Sequence, residues 1–165
     1  MDSASAFAPQ PAPNPVAPAR RMLASDPQFA TLLTEVIDAL PANIAVLDRE
    51  ANIVSTNRRW REFARFEGLA SGSDGIGLNY LEVCDQAVGD DAESAHEAAA
   101  GVRSVLSGNA PSFALEYSCH SPIERRWFQM TVTSLGTGGP HGVDGAIVVH
   151  SDISKYMRAD EVLAE

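Results

Sequence analysis

The most regular alternation of apolar and polar positions in the chain runs from Phe113 to Leu135, FALEYSCHSPIERRWFQMTVTSL. On its first arm Phe113, Leu115, Tyr117 and Cys119 are apolar or aromatic, while Ala114, Glu116, Ser118 and His120 between them are small or polar. A period of two is that of a half-buried strand. The second arm alternates with the opposite parity, placing Phe128, Met130 and Val132 on one face and Trp127, Gln129, Thr131 and Thr133 on the other. A turn at Ser121-Pro122-Ile123-Glu124 suits proline, whose φ is preset and which has no ladder donor to lose. It sets Tyr117 opposite Phe128, Leu115 opposite Met130 and Phe113 opposite Val132. The apolar faces then coincide, and a slip of one residue separates them.

The rest of the chain supplies elements to cover this hairpin. Phe29, Leu32, Leu33, Val36, Ile37 and Leu40 recur at helical spacing, predicting an amphipathic helix over 26–41 with Asp26 as N-cap, Pro27 in the first turn and Pro41 as the stop. That stripe has two uses, packing on its own domain and pairing with a second copy. A strand at Asn43–Leu47, a turn at Asp48–Asn52 and a strand at Ile53–Thr56 follow. Asn57 then caps a helix with Trp60, Phe63 and Ala64 on one side and Arg58, Arg61 and Arg65 on the other. The arginine face reads as a solvated surface before it reads as an anion site. After the loop Gly68–Gly77 come a short helix at Tyr80–Cys84 and an alanine-rich helix to Leu106, with Ala95, Ala99, Val102 and Leu106 inward and Gly108 past its end. Beyond the hairpin and a glycine-rich loop, Ala146–His150 is apolar on both parities, as in a central strand. Asp152 caps a final helix.

Composition narrows the functional classes. The 165 residues are 45% hydrophobic, enough for one core with appendages. A net charge of -10 argues against a nucleic-acid surface, which needs a basic stripe. Residues 1–25 hold five prolines between Pro9 and Pro18 and predict a disordered Pro/Ala-rich lead. With neither a signal peptide nor an apolar run of about 20 residues, the expectation is a cytoplasmic protein without a membrane span.

The order helix, two strands, short helices, a longer helix, three strands and an exit helix points to one family. LPANIAVLDREANIVSTNRRWREFA near the start, YSCHSPIERRWFQM in the hairpin and SDIS at Ser151–Ser154 agree with it. From about Asp38 to Ser154 the chain resembles the PAS domain family of bacterial signal-transduction inputs, found on sensor histidine kinases and cyclic-di-nucleotide enzymes. The resemblance implies an α+β fold: a five-stranded antiparallel sheet with short helices on one face, an N-terminal flanking helix and a C-terminal exit helix. The PAS core would span 42–154, and a signalling helix would begin over 155–165. It further implies a space between sheet and helices, bounded here by Trp60, Phe63, Tyr80, Leu81, Ala99, Val102, Phe113, Leu115, Tyr117, Phe128 and Met130. These residues would form either a ligand pocket or simply a core.

Specific chemistry gains less support. Gly77-Leu78-Asn79 resembles the start of the Gly-x-Asn-Cys motif of flavin photosensors, but Tyr80 stands where the reactive cysteine belongs, which argues against a flavin adduct. His96 lies near the place of a haem ligand on the long helix, yet beside the inward stripe; a surface histidine is the stronger reading. Cys119 and His120 are neighbours on a strand and point to opposite faces, so they cannot converge on a metal, and Cys84 reads as a small hydrophobe. No catalytic residues are assigned. The expectation is a sensory or dimerisation module, not an enzyme. It would form a homodimer through Phe29, Leu32, Leu33, Val36, Ile37 and Leu40, with Trp127 on the outer sheet face as the docking point for that helix. Its output would come from a kinase, cyclase or other domain or partner. The alternatives are a ligand-free interaction adaptor and a small α+β enzyme working in the same cavity.

Overall fold

The computed structural model of the protein describes residues 26–66, 74–119, 123–136 and 142–163, with backbone alone for Arg65, Phe66 and residues 160–163. The expected lead over 1–25, part of the Gly68–Gly77 loop, His120 and the first two residues of the hairpin turn lie outside the described residues. The chain divides into two units, residues 1–36 and 37–165. Each is taken by itself.

The first unit contributes most of helix α1 (Pro27–Ala39). Asp26 Oδ1 accepts from the Gln28 N–H at 2.8 Å, so the acidic residue before Pro27 ties off the first turn. Leu32, Leu33 and Val36 are exposed along one side.

The second unit is built on a five-stranded antiparallel sheet, β1 (Asn43–Asp48), β2 (Ile53–Thr56), β3 (Ser112–Ser118), β4 (Trp127–Leu135) and β5 (Gly145–Asp152), in the order β2-β1-β5-β4-β3. Helices α2 (Arg58–Phe66), α3 (Tyr80–Asp85) and α4 (Ala92–Leu106) lie between β2 and β3 in the chain, and α5 (Ser154–Leu163) follows β5. The hairpin has the register its alternation predicts: Tyr117 pairs with Phe128, Leu115 with Met130 and Phe113 with Val132. Phe128, Met130 and Val132 are buried, while Ala114, Glu116 and Ser118 on the far parity of β3 are exposed. β5 is central, as its two-sided apolarity requires, pairing with β1 on one side and β4 on the other. At its first residue the strands come too close for a side chain, because a Cβ on Gly145 would overlap the carbonyl oxygen of Leu47. Backbone cannot yield there as a side chain would. Gly145→Ala should therefore cost about 1–3 kcal/mol, read from the urea midpoint.

Helix α4 buries a wider face than its alanine stripe suggests. Ala98, Gly101 and Val105 are buried together with Ala99 and Val102, whereas Ala95 and Leu106 are half-buried. The helix packs against both α3 and the sheet, so its apolar side must serve two neighbours.

Two polar residues fix the frame. Asn57 is fully buried and uses its whole amide: Oδ1 accepts from the N–H groups of Ile44 at 2.9 Å and Trp60 at 3.0 Å, and Nδ2 donates to the carbonyls of Ile37 at 3.0 Å and Ala42 at 2.8 Å. It is thus more than the helix cap its position predicts. Asn79 does similar work for α3, accepting from the N–H groups of Leu81 and Glu82 while donating to the Glu50 carbonyl. With the Tyr80 N–H on the Ala51 carbonyl at 2.9 Å, this sets where Tyr80 enters the interior.

At the exit, Asp152 Oδ1 accepts from the Ser154 N–H at 2.9 Å, the Ile153 N–H donates to the Trp127 carbonyl at 2.9 Å, and the Trp127 N–H donates to Ser154 Oγ at 3.0 Å. Arg158 adds a hydrogen bond to the Arg125 carbonyl. The start of α5 is stitched to the start of β4.

Candidate functional site

Where α4 rises from the sheet near Asp91, the second unit holds a cavity of about 280 Å³. Its floor is the sheet, with Leu115 and Tyr117 from β3, Met130 from β4 and His150 from β5. Its walls are Phe63 from α2, Tyr80 and Cys84 from α3, and Ser94, Ala95 and Ala98 from α4. Exposed Asp91 and Ser118, with half-buried Cys119, complete the lining. The small side chains of α4 leave the space, since alanine has nothing beyond Cβ to fill it.

Five of the residues expected around such a space line it: Phe63, Tyr80, Leu115, Tyr117 and Met130. Phe128 and Trp60 stand behind the lining. Phe128 stacks on Tyr117 with ring centroids 5.8 Å apart and meets Phe63 edge-on at 5.9 Å, while Trp60 lies 5.8 Å from the His150 ring. Ala99 and Val102 are fully buried on the inner side of α4, and Leu81 packs against the same core. Phe113 is held away from the cavity because its ring lies flat against Gly101, where a Cβ would overlap it. His96 is exposed and does not line the cavity.

The sequence pattern misses His150, the imidazole that lines the cavity. In a strand apolar on both parities no face is marked as inward, so the last residue carries no signal. Its pairing with Met130 across β4 and β5 is what aims it at the cavity. Tyr117 Oη lies 2.7 Å from His150 Nδ1, and Tyr80 Oη lies 3.3 Å from Nε2 and 4.0 Å from Met130 Sδ. These contacts form one continuous row across the cavity floor.

Burial sets the charge of that row. Loss of solvent lowers the His150 imidazole to about 4, and the same loss raises both the Tyr80 and the Tyr117 hydroxyls. All three are neutral at pH 7. Burial, reinforced by the nearby Asp85 carboxylate, pushes the Cys84 thiol to about 11, so it is a poor nucleophile and a poor metal ligand. Among the described residues no group of three or more His, Cys, Asp or Glu side chains is placed to hold a metal ion, and neither cysteine is in a disulfide. No helix of the described residues is long and apolar enough to cross a membrane. Chemically, the arrangement can take up a small apolar body and offer it uncharged hydrogen-bonding groups.

Known proteins share this architecture. The chain is 37% identical over 138 residues to an uncharacterized 104.1 kDa protein of Rhodobacter capsulatus, an alignment covering 81% of this chain but 14% of that one. It thus spans a small part of that relative's length. Among solved structures, the sensor region of a sensor histidine kinase superposes with a TM-score of 0.52 at 16% identity, covering 70% of this chain and 40% of the other. A phage VqmA-DPO complex gives 0.55 at 19% identity, covering 87% and 62%. The family model described as the PAS fold matches residues 37–155, which take in the whole sheet and the helices around the cavity, and the chain belongs to the PAS family.

Proposed function

We propose that the chain is a PAS sensory module of a signal-transduction protein, which binds a small molecule in the cavity between sheet and helices and reports it through α5. The observation that carries this reading is the cavity itself. Its volume of about 280 Å³ is close to the lower end of the range for ligand pockets, and its apolar walls with a few convergent polar groups have the usual composition of such sites. The likeness to the sensor region of a histidine kinase and to a protein in complex with DPO agrees with it. A ligand that prefers one arrangement of sheet and helices shifts the population toward it. Phe128, which backs Tyr117, is joined directly to Trp127, which holds Ser154 at the start of α5. Output then belongs to a kinase, cyclase or other partner.

Native mass spectrometry of the purified protein, with an absorption spectrum, tests this. A co-purifying small molecule that is released on denaturation supports it, and an empty chain with no response to a metabolite library would sink it.

A second reading, a dimerisation adaptor, is favoured by one observation: Leu32, Leu33 and Val36 are exposed on one helix, and Leu40 is exposed just past its end. A stripe of this kind suits a second copy of α1, and docking of the stripe on Trp127 is the competing use. Sedimentation should show a dimer at micromolar concentration that Leu33→Asp converts to monomer. A dimer unaffected by that change would place the contact elsewhere.

A further inference from the structure

The hydrogen-bond capacity of the cavity floor has to balance, and it does so in two ways. A neutral imidazole has one donor and one acceptor nitrogen, and a tyrosine hydroxyl has one proton and can also accept. With the proton on Nε2, Tyr117 donates to Nδ1, Nε2–H donates to Tyr80 Oη, and Tyr80 donates to a sulfur, Met130 Sδ at 4.0 Å or that of Cys84. Every proton in the row is then used, and Tyr117 Oη has only acceptor capacity left. With the proton on Nδ1, Nδ1–H donates to Tyr117 Oη and Tyr80 donates to Nε2. The Tyr117 proton is now without a partner in the row and is available to a group in the cavity. The same three side chains therefore present an acceptor or a donor, depending on the tautomer. Neither state carries a charge, and among the described residues lining the cavity the one charged side chain is the exposed carboxylate of Asp91.

We propose that the Tyr117–His150–Tyr80 row reads a single polar group on an otherwise apolar, uncharged ligand, switching tautomer to match a carbonyl or an N–H/O–H group and refusing carboxylates. This rests on the cavity being a ligand site. A carboxylate would lose its hydration and gain no cation in return, with Asp91 opposing its entry. A carbonyl loses less and gains the Tyr117 proton. The chain of hydrogen bonds makes the choice cooperative, since flipping one proton position re-aims Tyr117 and Tyr80 together.

The test uses the full chain labelled with 15N-histidine at pH 7 and four probes of similar bulk: cyclohexanone, which only accepts; indole, which donates; toluene; and cyclohexanecarboxylate. With cyclohexanone the two His150 ring nitrogens should exchange their N–H-like and pyridine-like resonance positions, and with indole they should keep those of the empty protein. Tyr117→Phe should weaken cyclohexanone about tenfold, the loss of one hydrogen bond of ordinary net strength, and leave toluene unchanged. Cyclohexanecarboxylate should not bind. Binding of cyclohexanone and indole with the same ring pattern would overturn the inference while leaving the cavity a ligand site, as would equal binding of the carboxylate. If none of the four probes perturbs any cavity resonance at millimolar concentration, both the inference and the ligand-site reading fall.

Discussion

Asn57→Ala is expected to be the most destabilising single substitution in the second unit, lowering the unfolding free energy by about 3–5 kcal/mol in urea. The Asn57 side chain makes four hydrogen bonds, to Ile44, Trp60, Ile37 and Ala42, while fully buried. Truncation leaves two N–H groups and the Ala42 carbonyl without the Asn57 partner, each costing about 1–3 kcal/mol if water cannot reach it, and leaves the Ile37 carbonyl with the long 3.4 Å bond from the Leu40 N–H. Some relaxation makes the sum less than additive. An ordinary N-cap truncation costs about 1 kcal/mol, so the size of the loss separates the two roles. Asn57→Asp sharpens the comparison, because it keeps the acceptor for Ile44 and Trp60 but turns an oxygen toward the Ile37 and Ala42 carbonyls. At a simple helix cap Asp replaces Asn without loss. Here it should cost several kcal/mol, and a variant as stable as wild type would mean that the Nδ2 contacts contribute nothing.

The second large effect is a stability that depends on pH through His150. The unfolded imidazole titrates near 6.5 and the folded one near 4, because burial penalises its charge. Between these values the unfolded chain binds a proton that the folded chain refuses, so stability falls as pH falls. The contribution is fully present above about pH 6.5, declines below it and is lost by about pH 4. A gap from 6.5 to about 4, at about 1.4 kcal/mol per unit, makes the full loss on the order of 3 kcal/mol. Carboxylates elsewhere titrate in part of the same window, so the informative quantity is a difference. His150→Gln keeps a donor and an acceptor but does not titrate. The gap in unfolding free energy between wild type and His150→Gln should therefore shift by about 2 kcal/mol between pH 7 and pH 4.5. Parallel pH profiles for the two proteins would show that the ring is not held neutral by its surroundings.

Some of this organisation can be read directly from residue order, and some cannot. The β3–β4 register follows from alternation and the turn together: each arm has one apolar face, a one-residue slip separates the two faces, and the turn placed at Ser121–Glu124 selects among the pairings that keep them together. The centrality of β5 follows from its two apolar parities. That same property hides His150, since a strand with no polar face does not say which way its last residue points. Phe113 obeys the alternation and shares a face with Leu115 and Tyr117, yet sits under α4. The clue is Gly101, a glycine within a run of good helix formers, where its cost of about 1 kcal/mol relative to alanine calls for a close neighbour. Asn57 is visible as a cap from its place before Arg58. Its bonds to Ile37, Ala42 and Ile44 depend on chain segments that meet only after folding, and no local pattern encodes them.

The strand order has a consequence for the timing of folding. β1–β2 and β3–β4 are both hairpins between near neighbours in the chain, and each can close early and on its own. In the sheet β5 lies between them, its His150 pairing with Asn43 and with Met130. During synthesis the two hairpins therefore wait, each with an unpaired inner edge, until the final strand has left the ribosome. β5 follows β4 closely in the chain, but its pairing with β1 joins segments about a hundred residues apart; contacts of such separation are slow to form, and an open strand edge in the meantime is a site for pairing with other chains. A nascent chain halted before Gly145 should engage chaperones strongly, and one extended past Asp152 should release them.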